Sequence, residues 1–200
     1  MCLIARGRQP QKEEPHGLES DGQDMSKEMG RQATRQDTFV RTLFVVDIEN
    51  MVGTSALLTP AQVGRAQARI HAAVRFETGD HTVIASNKVN AAAVCFTWSG
   101  PTSRRIRSGQ DGADQALLEE LRDPIWVAAR YDHVVIASGD HAFANAVTAI
   151  KIAGCPVTVI APDVGLSKRM RLAAGPDLVY LGSPIPANVI TLFRTVKEVA

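Results

Sequence analysis

Short runs of apolar, largely β-branched residues recur along this chain, at residues 43–46, 81–86, 134–137, 156–161 and 178–181. Most are continuously apolar rather than alternating, the pattern of strands covered on both faces. The segments between them carry apolar residues at helical spacing. Residues 61–76 place Val63, Ala66, Ile70, Ala73 and Val74 on one stripe, with Pro60 suited to a first helical turn and Thr59 to an N-cap. Residues 111–122 present Ala113, Leu117, Leu118 and Leu121 in the same way, and residues 125–129 add a turn after Pro124. Residues 142–152 form a helix that stops at Gly154, and residues 166–174 a short basic one. Residues 90–94 read as a short Ala-rich helix and 96–98 as a strand or the lip of a loop. Residues 99–108, broken by Gly100-Pro101, read as a polar loop. This alternation predicts a three-layer α/β/α domain around a central, mainly parallel sheet. Such sheets bind ligands in the crevice outside the carboxyl ends of their strands, near a topological switch point, so those ends hold the candidate functional residues.

The domain is expected to span residues 39–200. Residues 1–38 are rich in polar and charged residues, with Leu18 alone after Ile4, and cannot offset their ordering entropy; they read as a disordered extension. At the other end, residues 187–199 carry Val189, Ile190, Leu192, Phe193 and Val196 near helical spacing. That segment is expected to pack on the domain or on a second copy in a homodimer. A net charge of +1 leaves no global basic field, so a nucleic-acid partner would have to be met by a local patch. Cys2, Cys95 and Cys155 are far apart and form no CxxC pair, which argues against a disulfide framework or a zinc knuckle and for a reducing compartment. No apolar run is long enough to span a bilayer, and a cytoplasmic location is expected.

Acidic residues mark the strand ends. Asp47 follows the run at 43–46, with Glu49 and Asn50 close behind, and Asp140 follows the run at 134–137 in Ser138-Gly139-Asp140. Asp111 and Asp114 lie three apart at a helix start and share a face. Taken singly, Asp111 suits an N-cap, Asp114 a first helical turn, and Asp47 and Asp140 turns after strands. Taken together at one rim, carboxylates repel one another unless a cation sits between them. Mg²⁺ or Mn²⁺, which take oxygen ligands from one or two carboxylates plus water and phosphate, suit such a cluster.

Three separated motifs carry a family resemblance. Val45-Val46-Asp47-Ile48-Glu49-Asn50 is a strand ending in Asp with Asn three residues later. Gly112-Ala113-Asp114-Gln115-Ala116-Leu117 is a Gly-x-Asp-x-x-Leu helix start. Val135-Ile136-Ala137-Ser138-Gly139-Asp140-His141-Ala142-Phe143 resembles a strand followed by Ser-Gly-Asp-x-Asp-Phe. With Gly154-Cys155-Pro156-Val157-Thr158-Val159 after them, these segments resemble the NYN family, a branch of the PIN-like nucleases, over roughly residues 40–182. The resemblance implies a metal-dependent ribonuclease in which Asp47, Asp114 and Asp140 are the metal-binding, catalytic acids and Asn50 supports the site. It further implies that Ser138 and Gly139 shape the loop presenting Asp140, that Phe143 packs beneath it, and that cleavage leaves 5′-phosphate and 3′-hydroxyl ends. One position departs from the pattern: Ala142 stands where the family has its second Asp. His141 does not simply replace that carboxylate, though it can support the loop or contact phosphate. Asp111, ahead of Asp163, is the candidate to supply the missing charge.

An RNA substrate must overcome the repulsion of an acidic rim. Arg104, Arg105 and Arg107 before the Asp111 helix, Lys88, and Lys168, Arg169 and Arg171 in the late basic helix are candidate phosphate contacts, and Trp98 a candidate stacking surface. Single-stranded or structured RNA is the expected substrate. A non-catalytic RNA-binding or protein-interaction module on the same fold is the alternative, supported by Ala142. Phosphotransfer through Asp47 is disfavoured because Glu49 stands where a haloacid-dehalogenase-like enzyme needs a second Asp. A dinucleotide-binding domain is disfavoured because no Gly-rich loop follows residues 43–46.

Overall fold

Three strands whose residues are all buried except His81 lie side by side in the sheet. β1 (Thr42–Asp47) lies between β2 (His81–Ser86) and β4 (His133–Ala137), pairing Val45 with Val83 on one side and with Ile136 on the other. In a computed structural model, which describes residues 41–54 and 56–181, the sheet has six strands in the order β3-β2-β1-β4-β5-β6, all parallel. β5 (Val157–Pro162) and β6 (Leu178–Leu181) extend it beyond β4, and β3 (Thr102–Ile106) closes it beyond β2. The chain therefore steps outward from β1 to β3, then crosses back over β1 to start β4. That reversal makes the β1–β4 gap the switch point, where the connections leave in opposite directions and open a crevice.

Helices cover both faces, as parallel crossovers require. On one face α1 (Ile48–Val52), α2 (Pro60–Ala73) and α3 (Ala91–Thr97) pack Ile48, Met51, Val63, Ile70 and Val94 against Phe44, Val46, Ile84 and Val135. On the other, α4 (Gly112–Glu120), α5 (Pro124–Arg130), α6 (Ala144–Ile152) and α7 (Lys168–Ala174) pack Leu117, Val127, Val147, Ile150 and Met170 against Leu43, Val45, Val83 and Ile136. Each such aliphatic side chain, fully withdrawn from water, contributes about 1.5–3 kcal/mol before conformational entropy is set against it. Local signals fix where the helices start. Thr59 and Gln62 form a reciprocal capping box on α2, Asp123 caps α5 and Ser167 caps α7.

The three-layer α/β/α architecture expected from the sequence is the one observed. Three details differ. Residues 99–108 are not a loop throughout, because Thr102–Ile106 form β3. This edge strand pairs with β2 alone and keeps Arg105 and Ile106 exposed, so it carries no apolar run to announce it. Residues 96–98 are neither strand nor loop lip; they end α3, and Trp98 is its buried C-cap. The helix expected over 142–152 begins as a separate 3₁₀ turn, His141–Phe143, before α6. The expected extension at 1–38 and the amphipathic segment at 187–199, with the homodimer it suggested, lie outside the described residues. Among the described residues no helix is long and apolar enough to cross a membrane.

Candidate functional site

Parallel strands and a returning helix bring four of the predicted acids to one cleft. Asp47 ends β1, Asp140 follows β4 across the switch point, and Asp111 and Asp114 sit at the start of α4, which runs back from β3 over that same rim. Asp47, Glu49, Asn50, Asp111, Asp114 and Asp140 all line a cleft of about 730 Å³. α1 forms one wall, the loop before α4 another, and Pro162 at the end of β5 with Val164 and Gly165 after it a third.

Asp47 is held from two sides. The Asn50 backbone N–H donates to its Oδ1 at 3.1 Å, making it the N-cap of α1, and the Ser138 hydroxyl donates to its Oδ2 at 3.0 Å. The Asn50 side chain in turn accepts from the Gly139 backbone N–H at 2.8 Å, and Ser138 Oγ accepts from the Asp140 N–H at 3.1 Å. The strand ends of β1 and β4 are thus sewn together by the residues of both motifs. Asp140 Oδ1 accepts from the Ala142 N–H at 2.7 Å and lies 2.9 Å from His141 Nδ1. His141 itself is exposed and does not line the cleft; it supports the loop through Asp140. Gly139 is a steric requirement, since a Cβ there would lie 3.1 Å from Leu166 Cα and 3.2 Å from the Gly165 carbonyl oxygen. Phe143 is fully buried beneath the loop, the place expected of it.

Asp111 does not cap its helix. It adopts a left-handed backbone with φ 55°, the one non-glycine residue to do so among those described, and makes no capping bond with its side chain. An aspartate tolerates that conformation better than most residues. Its carboxylate stays exposed on the cleft wall, while Asp163 is not among the residues that line it. Next to it, Gly112 is obligatory: a Cβ would fall 2.7 Å from the Arg107 carbonyl oxygen.

The electrostatics are those of acids with too little positive charge. Burial raises Asp47 to about 6, against the lowering effect of the Asn50 and Ser138 donors, with Glu49 and Asp140 pushing the same way as burial. Asp114 is raised to about 7, first by burial, then by Asp47 and Asp140, by a hydrogen bond with Asp47, and by Asp111. Two carboxyl groups can hydrogen-bond only if one holds a proton, so Asp47 and Asp114 titrate as a pair. Glu49 is occupied differently: its Oε1 accepts from Asn87 N and from Asn90 Nδ2, both at 2.9 Å.

The donor set decides what these residues can hold. The converging side chains, Asp47, Asn50, Asp111, Asp114 and Asp140, offer hard oxygens. Among the described residues no three His, Cys, Asp or Glu side chains are already gathered into a ligand cage. Oxygen donors of this kind are those that hard divalent cations take, with water and phosphate completing the coordination.

The basic candidates are placed elsewhere. Arg104 donates to the carbonyls of Trp98 and Thr102, Arg105 pairs with Glu120 and Arg107 with Glu119. None of the three lines the cleft, nor do Lys168 and Arg169; Arg169 donates to Asn145. Trp98 is 3% exposed and edge-on to His71, so it offers no stacking platform. Sequence reasoning missed Arg69, which lines the cleft from α2, and Asn90, a fully buried asparagine that ties Glu49 to the Leu58 N–H and the Ala56 carbonyl. A polar residue inside an otherwise Ala-rich segment was the available signal for Asn90; Arg69 had none beyond its position on the polar side of α2.

No protein-family model matches the chain, and no curated protein matches it. Among solved structures it is similar to a protein of unknown function from Vibrio parahaemolyticus RIMD 2210633, at 17% identity over 74% of this chain and 96% of that one, with a TM-score of 0.47.

Proposed function

We propose that this protein is a metal-dependent ribonuclease of the NYN/PIN-like type, hydrolysing RNA phosphodiester bonds in the cleft at the β1–β4 switch point. The observation that carries this reading is the convergence of Asp47, Asp114 and Asp140, from three separate motifs, on one cleft with their mutual repulsion unrelieved. Asp47, Asp114 and Asp140 would hold Mg²⁺ or Mn²⁺, with Asp111 at the cleft wall adding negative charge in place of the carboxylate absent at Ala142. When bound, such an ion supplies Lewis-acid charge and lowers the pKa of a coordinated water. Ser138 and the Asn50 N–H aim the two oxygens of Asp47, and Asn50 fixes the loop of Asp140 through the Gly139 N–H. Because burial and neighbouring carboxylates raise Asp47 and Asp114, a metal held there would compete with protons, and its affinity would rise with pH.

The test is incubation of the full chain with labelled single-stranded RNA and Mn²⁺, Mg²⁺ or chelator, beside Asp140→Asn. Cleavage that needs the metal, leaves 5′-phosphate ends and disappears in the variant is the expected result. Cleavage that persists in chelator, or leaves cyclic phosphate, contradicts the mechanism. A second reading, a non-catalytic RNA-binding module, is favoured by Ala142 alone; it predicts RNA binding without cleavage under any metal.

A further inference from the structure

An acidic cleft repels the polyanion it is proposed to cut, so some basic surface must lead a strand into it. Arg104, Arg105 and Arg107 are poorly suited to that task, because carbonyls and glutamates already occupy their guanidinium groups. α2 offers the opposite case. A second depression of about 210 Å³ adjoins the cleft and shares Met51, Val52 and Arg69 with it; Gln62, Arg65 and Ala66 complete its wall. Gln62, Arg65, Ala66 and Arg69 recur at helical spacing on one face of α2, with the two arginines about one turn, ~5.4 Å, apart. Both arginines are exposed, and among the described residues neither is in an ion pair with a carboxylate. Arg69 Nη2 donates to the Leu181 carbonyl at 3.0 Å, which anchors the side chain beside the cleft and leaves further N–H donors available.

We propose that this face of α2 is the track on which single-stranded RNA approaches the acidic cleft, Arg65 and Arg69 contacting successive parts of its phosphate backbone. The inference rests on the ribonuclease reading and adds the direction from which substrate arrives. Arginine suits this role because its fork binds phosphate oxygens bidentately. A shallow, open groove lined by one helix reads backbone rather than base sequence, so binding here should be salt-dependent and weakly sequence-selective.

The experiment is fluorescence anisotropy of a labelled oligouridylate with the full-length Asp140→Asn chain, titrated over a range of salt concentrations. Arg65→Gln/Arg69→Gln in that background is compared with Arg105→Gln/Arg107→Gln, and Arg69→Lys keeps the charge as a check on local structure. The track predicts that the α2 pair weakens binding roughly tenfold and flattens the log–log salt slope by about 0.7 for each arginine removed. It also predicts that the β3 pair changes binding less than twofold. Unchanged binding in the α2 pair, or a loss carried by the β3 pair, overturns the track. If the native chain cleaves RNA while the α2 pair binds as its parent does, only the track fails; if the native chain neither binds nor cleaves RNA, the ribonuclease reading fails with it.

Discussion

Aspartates at both ends of the sheet accept from backbone N–H groups, but those at the carboxyl end also face one another. Asp80, just before β2, accepts from Thr42 N on one oxygen and Glu77 N on the other, at 2.9 and 2.7 Å; Asp132, just before β4, accepts from Arg41 N at 2.9 Å. The rings there are also matched: His81 joins Tyr131 and Ser103 through its two nitrogens, and the Arg41 guanidinium lies 5.5 Å from the centre of the Tyr131 ring. The same residue types therefore serve two purposes. At both ends aspartate ties strands and turns together, and at the carboxyl end it is also held close to several like charges, a cost that folding alone does not explain.

Substitutions at both ends separate these roles. The largest effect is expected on activity: Asp47→Asn, Asp114→Asn or Asp140→Asn lowers metal-dependent RNA cleavage by at least roughly 10²-fold, and Ser138→Ala, which frees one oxygen of Asp47, by about 10- to 100-fold. Asp80→Asn leaves cleavage unchanged. Single-turnover rates at saturating Mn²⁺ measure all of these, and equal losses at the two ends would erase the distinction.

Stability should respond more strongly at the carboxyl end. Asp47 is raised by burial to about 6, so the folded protein holds a proton that the unfolded chain releases near 3.8. Its contribution is present at low pH and is lost as pH rises through about 6. Asp47→Asn is therefore expected to raise metal-free stability at pH 8 by roughly 1–3 kcal/mol and to change it little at pH 4. Asp80→Asn sets an amide NH₂ against a backbone N–H, a cost of about 1 kcal/mol at pH 4; burial raises Asp80 as well, so part of that cost is offset at pH 8. Urea unfolding at the two pH values gives both signs. His133, at the amino end of β4, is lowered by burial from 6.5 to about 4, so its contribution is present above 6.5 and lost as pH falls through 4. The slopes of the Asp47–Asp114 pair and of His133 oppose each other in the native chain, and Asp47→Asn should shrink the first and so steepen the net loss of stability on acidification.

A smaller effect tests the packing that shapes the site. Gly112→Ala and Gly139→Ala place a Cβ against backbone atoms at 2.7 and 3.1 Å, and each is expected to destabilise by about 1–3 kcal/mol with a shifted cleft. Thermal melts at fixed pH show the first effect; weakened Mn²⁺ binding shows the second.

The central strands were legible from the continuous apolar runs at their centres, although Thr42, Thr82, Ser86 and His133 are buried on them too, and α2 because Thr59, Pro60 and Gln62 spell its start. β3 was not, since an edge strand needs a partner on one side only and its Arg104, Arg105 and Ile106 look like a loop. The acids were found from their place after strands and at a helix start, which parallel topology turns into proximity. Their environment was hidden: that Asp47 and Asp114 share a hydrogen bond, that Glu49 is tied to Asn90, and that glutamates one helix away take up Arg105 and Arg107 are products of packing, invisible to spacing. Arg69 reached the cleft for the same reason, through the way α2 lies beside α1 and the end of β6.

The most direct test of the carboxyl-end site is a Mn²⁺ titration of the full chain followed by electron paramagnetic resonance, at pH 6 and pH 8, with Asp47→Asn and Asp114→Asn beside it. The expected result is Mn²⁺ binding that tightens from pH 6 to pH 8, releases protons, and is lost or strongly weakened in both variants. Absence of binding at either pH, or binding that the two variants leave intact, would contradict it.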